Sequence, residues 1–181
     1  MPLPANPLPT PGIFPDWYKG GFIDIERLLM DWFGGLFTDA VTCLTWFPPE
    51  NEVLENIANG LIYLRIFRSG GRIVFNEDGG TGVLDRPHVQ FAAMSRSRDL
   101  SWEVIEFVRN MLYPFNVGGG GGRMITDFGY AAITVNGEVM GPSITPDVFR
   151  DQRLVPITFE LEVERRKGLP TFSNYGAELG L

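Results

Sequence analysis

Leu154-Val155-Pro156-Ile157-Thr158-Phe159-Glu160-Leu161-Glu162-Val163-Glu164 alternates along its whole length. Val155, Ile157, Phe159, Leu161 and Val163 fall on one side, and Thr158, Glu160, Glu162 and Glu164 on the other. A period of two with one apolar and one acidic face describes a strand of an antiparallel sheet that is covered on one side only. The expectation is therefore a sheet with helices on one face and a second face that is wet or free to meet a partner.

Working outward from that strand, the chain reads as α+β. From Asp24, the residues Ile25, Leu28, Leu29, Trp32, Phe33 and Leu36 recur at helical spacing, with Asp24 as N-cap and Gly34-Gly35 as the stop. A short strand is expected over Val41 to Phe47, then a helical turn over Glu50 to Ala58 and a strand over Leu61 to Arg68. Ser69 to Gly82, with Gly70-Gly71 and Asp78-Gly79-Gly80, reads as a loop before a strand from about Pro87 to Ser95. The clearest helix runs from Asp99 to about Tyr113, burying Leu100, Val104, Phe107, Val108, Met111 and Leu112 and stopped by Pro114. Five glycines, Gly118 to Gly122, lead into a strand from about Met124 to Val135, and Asn136-Gly137 marks a turn. The fold class is a mainly antiparallel sheet with two main helices packed on one face, an extended N-terminal arm and long loops. The boundaries expected are an arm over 1–20, a single domain over 21–167 and a tail over 168–181.

Composition narrows the function. With 181 residues, 44% of them hydrophobic, and 14 Phe, the chain is long and apolar enough for a real core. A net charge of −7 argues against general affinity for nucleic acid, since no basic excess displaces counterions from phosphates. Thirteen of the 15 basic residues are Arg, which hints at carboxylate pairing across protein interfaces, although codon bias in a GC-rich genome explains the same excess. The single Cys43 lies in an apolar run and reads as a buried structural thiol, with no disulfide framework or cysteine zinc site to join. No cationic segment with an apolar h-region opens the chain, and no stretch of about 18 apolar residues occurs, so a soluble protein made in a cytoplasm is expected. Six of the 14 prolines fall within residues 1–15 and favour an extended arm, either free or lying on a neighbouring subunit.

The catalytic inventory is poor. The glycine run leaves a helix and enters a strand, the reverse of a phosphate loop, and no Gly-Lys-Ser or Gly-Lys-Thr follows. His88, the only histidine, starts a strand and reads as pairing with a neighbour or water. No Gly-x-Ser-x-Gly elbow occurs, and one histidine with one cysteine cannot supply a zinc set. Asp85 and Glu77-Asp78 read as turn chemistry. Glu160, Glu162 and Glu164 repel one another along one strand face and need water or arginines, with Arg123, Arg96 and Arg98 as candidate partners. The chain is read as a non-enzyme without a cofactor.

The order helix, strand, long hairpin, helix, Gly-rich turn and two more strands resembles the tail terminator proteins of long-tailed bacteriophages, the family that includes the lambda tail terminator. The resemblance is carried by the helix Ile25 to Phe33 and by Asp85-Arg86-Pro87 leading into His88 to Ser95. The helix Asp99 to Leu112 follows, and Asp151-Gln152-Arg153 then runs into Val155 to Val163 and Arg165-Arg166. It implies a structural virion protein of the tail or neck, assembled in the host cytoplasm. Such proteins close into a ring of six on the last ring of the tail tube, halt its polymerisation and offer a surface to head-completion proteins. The partners implied are copies of the chain, the tail tube protein and a head-completion or connector protein, with DNA passing an acidic lumen without specific binding and no membrane involved.

Two other readings stay open: another neck, head-closure or tail-completion ring protein, and a monomeric α+β domain that binds a ligand or hydrolyses a substrate. For the ring readings, the candidate interface residues are Arg65, Arg68, Arg96 and Arg98, which lie on or beside strands with no local acid partner. Ile13, Phe14 and Trp17, apolar residues next to the proline arm, complete the set. The 69–82 loop and Gly118 to Gly122 are candidate contact loops.

Overall fold

The computed structural model describes residues 5–75, 83–143, 153–166, 169 and 172–180. Pro2 and Pro4 of the arm, the Glu77-Asp78 pair, Pro146, Asp151-Gln152 and Lys167 lie outside the described residues. In chain order the elements are α1 (Ile25–Gly34), β1 (Val41–Leu44), α2 (Glu50–Ala58), β2 (Ile62–Phe75), β3 (Val83–Ser95), α3 (Arg98–Leu112), β4 (Gly122–Ile125), β5 (Tyr130–Met140), β6 (Arg153–Glu164) and α4 (Phe172–Glu178). The strands form one sheet in the order β1-β2-β3-β6-β5-β4. Only β1 and β2 run parallel; the other neighbours are antiparallel.

The apolar side of β6 faces a continuous core. Val155, Ile157, Phe159, Leu161 and Val163 meet Leu64, Ile66, Val89 and Phe91 of the central strands, with α1 and α3 packed over them. Each such side chain taken fully from water contributes roughly 1.5–3 kcal/mol. Helix α1 begins where expected, because the Asp24 carboxylate accepts the Glu26 and Arg27 N–H groups at 3.1 and 3.2 Å. Helix α3 is capped by Ser97, whose Oγ accepts the Leu100 N–H. Its buried stripe is rotated from the expected one: Ile105 is fully buried, and Ser101 faces inward with its Oγ 2.9 Å from that of Ser95. Pro156 is tolerated in β6 because β5 pairs only as far as Thr158, so the missing N–H falls beyond the end of the neighbouring strand.

Four local expectations change. The ladder of β2 and β3 runs straight through the expected Gly70-Gly71 turn and continues to Phe75↔Val83, after a bulge between Arg68 and Gly70. The strand expected over Met124 to Val135 is a hairpin, β4 and β5, whose turn closes with Thr126 and Gly129 exchanging backbone hydrogen bonds. Asn136-Gly137 is an irregularity inside β5 instead of a turn. Helix α2 is a full helix on the opposite face, where Val53 and Ile57 pack on Tyr63 and Met94. One end of the face expected to be wet is therefore covered. Parity explains this, because Tyr63 and Met94 point away from Leu64 and Ala93.

Candidate interface surfaces

The acidic stripe of β6 is answered across the sheet by its strand neighbours. The Arg86 guanidinium holds the Glu162 carboxylate at 2.8 Å, and His88 Nε2 lies 3.2 Å from Glu160 Oε2. Glu160 also accepts a hydrogen bond from Asn136 Nδ2 at 2.9 Å. That bond is the main cause holding the Glu160 carboxyl below its ordinary value, against desolvation, which raises it; His88 and Arg86 add to the lowering. The partners are thus Arg86, His88 and Asn136, and the expected Arg123, Arg96 and Arg98 make no described contact to these carboxylates. Pairing follows register: His88 stands opposite Glu160 in the ladder.

Arg65 lies on the same face, beside α2. Its guanidinium sits over the Phe67 and Phe47 rings at 4.2 and 5.2 Å, and its buried Nε donates to no acceptor among the described residues. Burial lowers its pKa, because the guanidinium is partly withdrawn from water and no described carboxylate offsets the loss.

The other expected interface residues separate. Arg68 does have an acid partner: its two terminal nitrogens bind both Asp85 oxygens at 2.7 Å, and Asp85 is only 4% exposed. Arg98 reaches Asp99 at 3.2 Å and stacks over Trp102. Arg96 is exposed and makes no described ion pair. Ile13 and Phe14 are exposed at 68% and 47%, whereas Trp17 is half-buried against Tyr175 of α4. The arm is also fastened to its own chain. Asn6 Oδ1 accepts the Tyr130 N–H at 2.7 Å, the Arg166 guanidinium donates to the Pro7 and Gly21 carbonyls, and Tyr175 donates to the Gly20 carbonyl. The tail expected over 168–181 includes α4, whose Tyr175 makes the last of these contacts. The Asp85–Arg68 pair was legible in principle, since both residues share the parity of the inward Val89 and Ile66.

A cleft of about 700 Å³ opens between the end of α3 and β5, lined by Arg109, Glu106, Tyr113, Asn116, Asn136 and Glu138 among others. Its charges are spent on each other: Arg109 bonds Glu106 at 2.6 Å and Glu138 at 2.7 Å, and these bonds raise its pKa. Burial pushes the Cys43 thiol up to about 12, so it is not a thiolate at neutral pH. Among the described residues no group of three or more His, Cys, Asp or Glu side chains could hold a metal ion, and no helix is long and apolar enough to cross a membrane.

A family model described as phage tail termination protein matches residues 21–170. The chain belongs to that family. No curated protein matches it. For a phage tail termination protein, whose family role is structural, the surfaces that matter are those that meet other tail components. On this chain, Arg96, Ile13 and Phe14 are exposed, and Arg65 has no described carboxylate partner.

Proposed function

We propose that this tail termination protein closes into a ring that caps the tail tube, stops its polymerisation and presents a surface for joining to the head. The single observation that carries this reading is the family match across residues 21–170. The interface side chains support it. Arg65 is half-buried with no carboxylate partner among the described residues, and Trp46, Val139 and Met140 are exposed at 83%, 53% and 46%, which suits burial between copies. A ring arises from a head-to-tail contact whose rotation closes, with roughly 800 Å² buried per partner. Six copies are the expected number, with the tube protein on one side and a head-completion protein on the other. The protein acts in the virion tail without catalysis, and DNA passes its lumen without specific contacts.

The test is elongation of purified tail tube protein, followed by electron microscopy, with and without this protein. Tubes of fixed length bearing a terminal ring are expected. Unaltered elongation, together with a monomeric mass at all concentrations, overturns the reading.

A further inference from the structure

We propose that the open edge of β2, from Gly71 to Phe75, receives the proline arm of a second copy as an added strand, pairing through Leu8 and Thr10. The inference rests on the ring reading above and names the contact that would link neighbours.

The edge is defined by hydrogen bonds. Strand β1 pairs with β2 only from Val41↔Ile62 to Leu44↔Arg65. On that side the Ile62 N–H bonds the Ala40 carbonyl at 2.9 Å, and the Arg68 N–H bonds Glu26 Oε1 at 2.6 Å. Even-numbered residues of β2 therefore turn their backbone groups outward as far as Arg68. The bulge between Arg68 and Gly70 inserts one residue and reverses that parity, so Gly71, Ile73 and Phe75 turn outward beyond it. Pro87 stands opposite Gly71 and has no N–H to give, which fits a pair that exchanges no bonds. No described strand lies on this side of Gly71 to Phe75. A row of open donors and acceptors of this kind is a template for another strand. Beside it runs a groove of about 250 Å³ lined by Phe22, Ile23, Ile25 and Ile73, with the Arg68–Asp85 pair in its wall. Ile73 is 43% exposed.

The arm has the complementary pattern. Pro7, Pro9 and Pro11 alternate with Leu8 and Thr10, so an extended arm carries all its N–H groups on one edge and only proline nitrogens on the other. Such a segment pairs on one side and cannot template a further strand. Leu8 is 74% exposed, and neither Leu8 nor Thr10 donates a described hydrogen bond within the chain. Charge agrees too. Residues 5–15 carry no charged side chain, and the groove's own charges are answered: Arg68 by Asp85, Glu26 by the Arg68 N–H, Asp24 by the first turn of α1.

The occupant is a neighbour's arm because the chain's own arm is held elsewhere. The Asn6 side chain accepts the Tyr130 N–H, Arg166 donates to the Pro7 carbonyl, and Leu8 stays 74% exposed with no described strand partner. A contact in which each copy gives its arm to the next and receives another arm on its own β2 is head-to-tail, the arrangement a ring needs.

The test uses the full chain in a Cys43→Ser background. Thr10→Cys and Ile73→Cys variants are mixed and treated with a short bismaleimide. Cross-linked pairs of the two variants are expected, with loss of the product when either cysteine is absent. In parallel, Leu8→Pro/Thr10→Pro, which removes the two donors from an exposed segment, should raise the concentration for half-assembly at least tenfold by native mass measurement while leaving the circular dichroism unchanged. Rings that persist without the cross-link, or that ignore the proline pair, overturn this inference and leave the ring reading standing. Cross-linking of a Thr10→Cys/Ile73→Cys chain only to itself also overturns it. A monomer at every concentration removes both.

Discussion

Asp85 and Arg68 show how one buried carboxylate organises a sheet edge. Asp85 is 4% exposed and accepts two charge-assisted bonds, while the Arg68 side chain keeps 36% of its surface in water. Removing the acid leaves a guanidinium that solvent partly rescues, so Asp85→Asn should cost about 2 kcal/mol, read as a lower urea midpoint at unchanged slope. A change within error would mean that the pair adds nothing beyond an amide contact. Glu160 offers a pH test at the same scale. Its carboxyl is lowered in the folded chain, first by Asn136, so its contribution is present above the ordinary carboxylate value and fades as pH falls through the lowered one. The stability gap between the native chain and Glu160→Gln should therefore shrink below about pH 4. A gap that stays constant from neutral to acid pH would sink this assignment.

At the scale of elements, Gly71 is where geometry is least forgiving. Its φ is +109°, and a Cβ there would lie 2.2 Å from the Arg86 carbonyl oxygen and 2.5 Å from Pro87 Cα. Gly71→Ala should cost about 2 kcal/mol or more, because both the backbone conformation and the close approach to β3 resist a methyl group. A thermal midpoint equal to that of the native chain would show that the ribbon yields. This glycine also explains why β2 was hard to read. Gly70-Gly71 carries the composition of a turn, yet the same conformational freedom serves a bulged ladder that runs on for several residues. Asn136-Gly137 misleads for the same reason. By contrast α1, α3 and β6 were legible because cap and period agreed: Asp24 before an amphipathic run, Pro114 after another, and strict alternation in the third. The covering of the second face by α2 was less so, since nine residues with two buried positions, Val53 and Ile57, give a short stripe that does not say which side it packs on.

For the whole molecule, the partners of the arginines were only partly visible in the sequence, because an arginine's partner depends on register. Arg68 and Arg65 are three residues apart, but Arg68 meets Asp85 across the ribbon while Arg65 faces the other side, over Phe47 and Phe67. With a net charge of −7, copies of the chain repel each other at long range, so assembly needs local contacts that outweigh that repulsion. A half-buried cation with no described carboxylate partner is such a contact when a neighbour brings the acid, since pairing then offsets the part of its desolvation already incurred within the subunit. Arg65→Gln keeps much of the stem that covers the two rings but removes the charge. The variant should therefore fold with a thermal midpoint near that of the native chain and, in the proposed ring, assemble at least tenfold more weakly, with native assembly loosening as salt rises while the variant's response flattens. If Arg65→Gln assembles like the native chain at every ionic strength, the guanidinium serves only its aromatic neighbours, and the cation at the contact between copies must be sought at Arg96 instead.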